Sequence, residues 1–220
     1  FNRDIPVEVR ALPAPGFRLR DWSVTRGKLV DLTLIGEGSD WNFLDIGLEA
    51  PAEWREIGFD VANWGSGPAQ LGYGDGDEKT VLSFGGNESD KFITTYFRKS
   101  FLVEDTTGLQ DITVKTLFDD GVAVYLNGTE IFRDNLPEGE IFYYTTASAI
   151  ATEGVYKTFT IPRSYLMPGE NVIAAEVHQV SASSSDISFE LSVTARRLQG
   201  TETVVVQDAV LTDTIRTDLA

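Results

Sequence analysis

The dipeptide Asn127-Gly128, set between Val122–Leu126 and Thr129–Arg133, constrains the fold of this chain more than any other feature. A two-residue type I′ turn needs positive φ at both central residues, and Asn followed by Gly tolerates that best. The flanking runs are β-branched and aromatic, so a hairpin is expected. Similar runs recur at Ile112–Phe118, Tyr156–Ile161, Val172–Gln179 and Ile187–Ala195. In the last of them Ile187, Phe189, Leu191 and Val193 alternate with Ser188, Glu190, Ser192 and Thr194, as in a strand with one buried face. No stretch sustains a helical period, and only Asp60–Trp64 and Pro162–Leu166 suit a single helical turn. The expected class is all-β: an antiparallel two-sheet sandwich with a small N-terminal β appendage.

Three zones follow. Residues 1–36 hold short runs (Val7–Ala11, Phe17–Trp22, Leu29–Ile35) broken by Pro13-Ala14-Pro15-Gly16. They read as a small β-repeat unit or the end of a preceding module, with a hinge expected at Gly36-Glu37-Gly38-Ser39. Residues 37–198 read as the main sandwich, and 199–220 as a linker or an extra strand. Opening at Phe1 with Met167 as its sole Met, the chain is expected to be a processed product or a piece of something longer.

Charge narrows the partners. Thirty-four acidic residues against 18 basic ones leave a net −16. That is the wrong sign for a nucleic-acid backbone or an anionic membrane surface. No apolar run approaches the roughly 18 residues of a membrane span. With no Cys, disulfides, thiolate metal sites and Cys nucleophiles are excluded, and a single His excludes a multi-His metal site. A cation, a neutral polymer and a basic protein remain allowed. Strong acidity without Cys suits a secreted or cell-surface bacterial module.

Longer motifs carry a resemblance. Phe118-Asp119-Asp120-Gly121-Val122-Ala123-Val124-Tyr125-Leu126-Asn127-Gly128, followed by Gly169-Glu170-Asn171-Val172-Ile173-Ala174-Ala175-Glu176-Val177, resembles the galactose-binding-like jelly roll. Its nearest branch is the sugar-binding sandwich of family 2 glycoside hydrolases. Upstream, Trp41-Asn42-Phe43 with Trp54, Phe59-Asp60 and Trp64 is similar to that family's opening pattern. A narrower resemblance rests on Gly67–Glu78, Ile93–Lys99, His178 and Ser185–Phe189. It points to accessory modules of large exported bacterial proteins, whose neighbours include spore-coat-H-like kinase, lamin-tail and phosphoesterase domains. The resemblance implies a fold; it implies little about a ligand, because this fold hosts binding, scaffolding and docking alike.

Candidate chemistry gathers at three places. Glu176 and His178, two apart on one strand, share a face. With Asp119, Asp120, Arg133 and Asp186 they would form a polar cluster for a sugar's hydroxyl pair or a cation. The alternative is that the same groups bond to one another and steady the loops. A Ser-His-Asp arrangement of Ser183–Ser185 with His178 and Asp186 lacks a nucleophile elbow and an oxyanion hole. Asp75, Asp77 and Glu78 lie in a glycine-rich loop, a donor set for calcium or else a solvated turn. Tyr73, Tyr143 and Tyr144 are candidate stacking platforms, whereas Trp41, Trp54 and Trp64 read as packing.

The expected function is therefore a non-catalytic accessory module of an exported multidomain bacterial protein. It would bind glycan or orient neighbouring domains of the same polypeptide, with no catalytic residue of its own. Two alternatives are a purely structural or adhesive module stiffened by calcium, and a small polysaccharide hydrolase or lyase.

Overall fold

The computed structural model describes residues 4–10, 15–16, 21–152, 154–206 and 210–216. The strands among them are β1 (Asp4–Arg10), β2 (Trp22–Ile35), β3 (Asp40–Leu44), β4 (Gly65–Pro68), β5 (Leu71–Tyr73), β6 (Thr80–Val81) and β7 (Thr94–Val103). They continue with β8 (Leu109–Asp119), β9 (Gly121–Leu126), β10 (Thr129–Asp134), β11 (Lys157–Ile161), β12 (Gly169–His178), β13 (Ile187–Val206) and β14 (Val210–Arg216). Short 3-10 turns occupy Ala52–Arg55 and Arg163–Tyr165. The second lies where the sequence suggested a helical turn. At Asp60–Trp64 there is only a tight turn, closed by the Trp64 N–H on the Val61 carbonyl at 2.9 Å. No helix among the described residues is long and apolar enough to cross a membrane.

Two sheets form the sandwich. The first runs β10-β9-β12-β7-β3-β4, and the second runs β11-β8-β13-β5-β6 with β2 also paired to β13. The pairs with a resolved register are antiparallel except β5 with β6. The expected hairpin joins β9 to β10, with Asn127 at φ 51° and Gly128 at φ 82°. Asn127 also anchors the turn to the sheet: its Nδ2 donates to the Tyr165 carbonyl and its Oδ1 accepts from the Val172 N–H.

The period of two separates the faces. Ile173, Ala175 and Val177 of β12 face Phe189, Leu191 and Val193 of β13 across one apolar core, joined by Val122, Val124, Phe97, Trp41 and Leu71. Phe189 stacks on Phe97 at 4.0 Å between ring centroids and meets Trp41 edge-on at 5.0 Å. On the opposite face of the first sheet a second layer forms. There Ala123, Tyr125, Ala174 and Tyr96 pack under Leu44, Ala50 and Trp54, with Phe59, Trp64, Ile141 and Tyr143 alongside. The sheet is thus covered on both sides, by β13 and its neighbours on one and by loops on the other.

Contacts divide the chain into two compact units, 1–30 with 198–220 and 31–197. In the first, β1 and β14 pair antiparallel from Asp4↔Arg216 to Arg10↔Val210, and Arg26 meets Glu202 at 2.8 Å. Of the expected N-terminal runs, Phe17–Arg20 lies outside the described residues. In the second unit the segment 36–39 is tied down: the Gly38 N–H donates to Glu190 Oε1 at 2.6 Å, and Ser39 Oγ donates to the Gly36 carbonyl.

Candidate functional site

The outer face of the first sheet carries Glu176 and His178, two of the residues singled out in sequence. Register sets Glu176 of β12 opposite Tyr96 of β7, and His178 opposite Thr94. Both acid and imidazole are buried, at 4% and 0% exposure. Tyr125 donates its hydroxyl to Glu176 Oε1 at 2.6 Å, and His178 Nε2 stands 3.3 Å from Glu176 Oε2. His178 Nδ1 lies 2.7 Å from the Thr145 carbonyl, which can only accept, so Nδ1 carries a proton. The hydroxyl of Thr94, 2.9 Å from Nδ1, donates to the Tyr143 carbonyl. Tyr96 donates to Glu49 Oε1, whose partner oxygen Oε2 accepts from the Tyr143 N–H. Arg98 donates to the carbonyls of Trp54 and Glu56. The bonds from His178 to Thr145, Thr94 to Tyr143, Tyr96 to Glu49 and Arg98 to Trp54 and Glu56 tie strands of the sheet to covering segments.

Of the bonds above, the loop 135–151 receives three, at Tyr143 and Thr145. Asp120 accepts from the Ala151 N–H with Oδ1 and from the Val180 N–H with Oδ2. Asn135 donates to the carbonyls of Asp120 and Ala149, and the Ala147 N–H donates to the Gln179 carbonyl. Arg133 grips Glu130 with two bonds and donates to the carbonyls of Pro137 and Gly139. Beside the exposed Glu138 and Glu140, the pinned loop shows large apolar side chains to solvent: Tyr144 is 71% exposed and stacks on the half-exposed Phe142 at 5.6 Å, while Ile150 is 78% exposed.

A second cluster closes one end of the sandwich. Gln179 donates its amide to the Tyr73 hydroxyl at 2.9 Å and to the Asp186 carbonyl at 2.8 Å. Ser185 Oγ donates to Asp186 Oδ1. Nearby, Asp75, Asp77 and Glu78 bring carboxylate oxygens within 4.8 Å of one another. Glu78 is already engaged, accepting from the backbone N–H groups of Asp75 and Gly76 at 2.9 Å each.

The structure therefore joins some of the expected residues and separates others. Glu176 and His178 meet on one face, and Asp120 reaches the same loops through the backbone. Asp186 belongs to the end cluster with Tyr73 and Gln179. Arg133 serves the hairpin edge, bonded to Glu130 and to the carbonyls of Pro137 and Gly139. Tyr144 is outward as a platform should be. Tyr143 turns inward, its hydroxyl accepting from the Ile93 N–H at 3.3 Å. Tyr73, expected at the surface, is buried, because its ring packs in the sandwich core. Trp41 and Trp54 are buried and Trp64 half-buried, as packing residues are. Sequence reading passed over Thr94, Tyr96, Tyr125, Glu49, Asn135 and Gln179. For Tyr96 and Tyr125 a signal existed: each sits out of phase with its strand's core-facing residues.

Burial of the tyrosines sets a pH dependence. Desolvation, with the charges of Glu176 and Glu49 nearby, pushes the Tyr96 hydroxyl far up, and desolvation with Glu176 does the same to Tyr125. Tyr73 is pushed up to about 12 by burial and then by Asp186 and Asp119, against a lowering bond from Gln179. Below about pH 10 these hydroxyls are protonated in folded and unfolded chains alike. Above it the unfolded chain loses the protons that the folded chain keeps, so stability falls as pH rises from about 10 through 12. Urea midpoints should decline steadily over that window. A flat profile would contradict the buried, neutral state of the three rings.

No family model matches this sequence, and no curated protein matches it. Solved structures do. A β-glucuronidase of Bacteroides uniformis matches at TM-score 0.50 and 14% identity, over 76% of this chain and 18% of that one. A β-glucuronidase from glycoside hydrolase family 2 matches at TM-score 0.45 and 20% identity, over 70% and 14%. A family 2 member from Bacteroides cellulosilyticus matches at 0.46 and 17%, over 80% and 21%. The likeness to the Bacteroides uniformis structure shows the fold, and it bears out the two-sheet sandwich that the residues around Asn127-Gly128 suggested. The chain spans less than a quarter of each of these enzymes.

Proposed function

We propose that this sandwich is a non-catalytic accessory module of a larger exported protein, and that it holds a neutral glycan on the Phe142–Tyr144 pair. One observation carries the reading: a stacked, exposed aromatic pair stands on a loop pinned at many points by buried polar groups. An aromatic face suits the apolar face of a sugar ring, and a loop ordered in advance loses little entropy on binding. Asp120, Arg133 and Glu176 are engaged by the protein itself, so they act as supports. Nothing in their arrangement offers a carboxylate pair flanking an open cleft, as a glycosidase requires. Export follows the narrower sequence resemblance, and calcium enters as a stiffener of loops.

The test is retention on a panel of neutral polysaccharides. Tyr144→Ala with Phe142→Ala should abolish retention, while the unfolding free energy from urea titration changes by no more than about 0.5 kcal/mol, as exposed positions allow. Wild-type protein that retains no glycan would overturn this reading in favour of a module that only orients its neighbours.

A further inference from the structure

We propose that the end of the sandwich bounded by Tyr73, Gln179 and Asp186 holds one hard cation of the calcium type. The exposed acids of the adjoining loop are not its seat. The argument starts from Gln179, which is fully buried. Its amide nitrogen points to the main-chain oxygen of Asp186, an acceptor only, and this fixes which end of the amide is oxygen. That oxygen, Oε1, has no hydrogen-bond partner. Neither does Asp186 Oδ2, on a side chain 5% exposed. An amide oxygen and a carboxylate oxygen thus lie buried and unmatched on two residues that are bonded to each other. Leaving a carboxylate oxygen so placed is costly. A single cation answers both.

The chemistry around them is uniform. Tyr73 offers a hydroxyl, and the negative charges of Asp186 and Asp119 both reach it. Asp119 pairs in register with Ser188, two residues from Asp186. Every donor is oxygen, the Asp186 carboxylate among them, and no sulfur or imidazole takes part, which is the ligand preference of calcium. The backbone is held in place beforehand. Lys91 Nζ donates to the carbonyls of Ser184 and Ser185, which directs its charge at those oxygens rather than at Asp186 Oδ2. Gly74, at φ +111°, lets the chain pass against Asp186: a Cβ there would come within 2.5 Å of the Asp186 Cβ. By contrast, Glu78 is engaged by two N–H groups and Asp75 accepts from Ser188 Oγ, so the exposed loop is closed without a metal.

The proposal is independent of the glycan reading, and its test uses no glycan. The full chain is stripped with excess chelator, then titrated with calcium by calorimetry, and in parallel with terbium, whose emission a nearby tyrosine sensitises. One saturable ion per chain is expected, with calcium displacing terbium and raising the thermal midpoint. Asp186→Asn should weaken calcium binding at least tenfold, and Asp75→Asn with Asp77→Asn should change it less than twofold. Should Asp186→Asn fail to fold, Gln179→Ala takes its place with the same expectation. Wild-type protein that takes up no ion overturns the proposal, the buried oxygens then being served by water. Binding lost in the Asp75/Asp77 variant and kept in Asp186→Asn or Gln179→Ala overturns it equally, assigning the ion to the loop.

Discussion

Phe189→Ala is expected to destabilise the sandwich by about 3–5 kcal/mol, the range for emptying a large aromatic site in a packed core. The side chain is fully buried on β13, and its ring is the main bridge between the sheets: stacked on Phe97 of β7 and edge-on to Trp41 of β3. Truncation removes both ring contacts and leaves a cavity that neither sheet can close without shifting the other. Against the roughly 5–15 kcal/mol that holds a typical domain together, this is a large part of the total. Urea unfolding gives the measure, with Leu102→Ala as a control. Leu102 is also on β7 but is 66% exposed, so its loss should cost within about 0.5 kcal/mol. A Phe189→Ala cost below about 1.5 kcal/mol would mean that the sheets are not packed through this ring.

His178→Ala is expected to cost nearly as much, about 3 kcal/mol, by a different route. The imidazole is where the sheet meets the loop 135–151: its Nδ1–H reaches the Thr145 carbonyl, and its Nε2 faces Glu176 Oε2. Without it the Thr145 carbonyl loses its partner, at about 1–3 kcal/mol, and the emptied imidazole site adds the cost of a buried cavity. Hydrogen exchange tells this from a general loss of stability. The amides of Ala147 and Ala151, bonded to the Gln179 carbonyl and to Asp120, should exchange faster by a larger factor than those in the middle of β12. His178→Asn, which keeps a donor close to the Nδ1 position, should recover part of the loss. Equal acceleration across the sheet and the loop would show that His178 does not hold the loop.

These two substitutions divide what could be read in the chain from what could not. Phe189 was legible: it alternates with Ser188 and Glu190, and a strand with that alternation buries one face. The Asn127-Gly128 hairpin was legible for a local reason, since two consecutive positive φ angles are a demand on the residues themselves. Even the proximity of Glu176 and His178 followed from a spacing of two. Their burial did not. A strand whose second face carries Glu and His looks solvated in sequence, and whether loops cover it depends on segments far along the chain. Glu49, Trp54 and Thr145 supply that cover, at sequence distances that no local period links to β12.

The expected cluster of Asp119, Asp120, Arg133, His178 and Asp186 shows the same limit. All five lie at strand ends or turns, so sequence places each one well enough along the chain. Which side of a sheet each side chain leaves by, and which loop it then meets, is set by the packing of the whole molecule. Asp120 leaves toward the backbone of Ala151 and Val180, Asp186 leaves beside Tyr73 and Gln179, and Arg133 folds back onto Glu130. The sequence by itself determined the sandwich and its hairpin, because hydrophobic alternation and turn chemistry act between near neighbours. Only the tertiary structure decided which polar groups are supports and which surface is left free, because burial is a property of the distant chain that comes to lie on top.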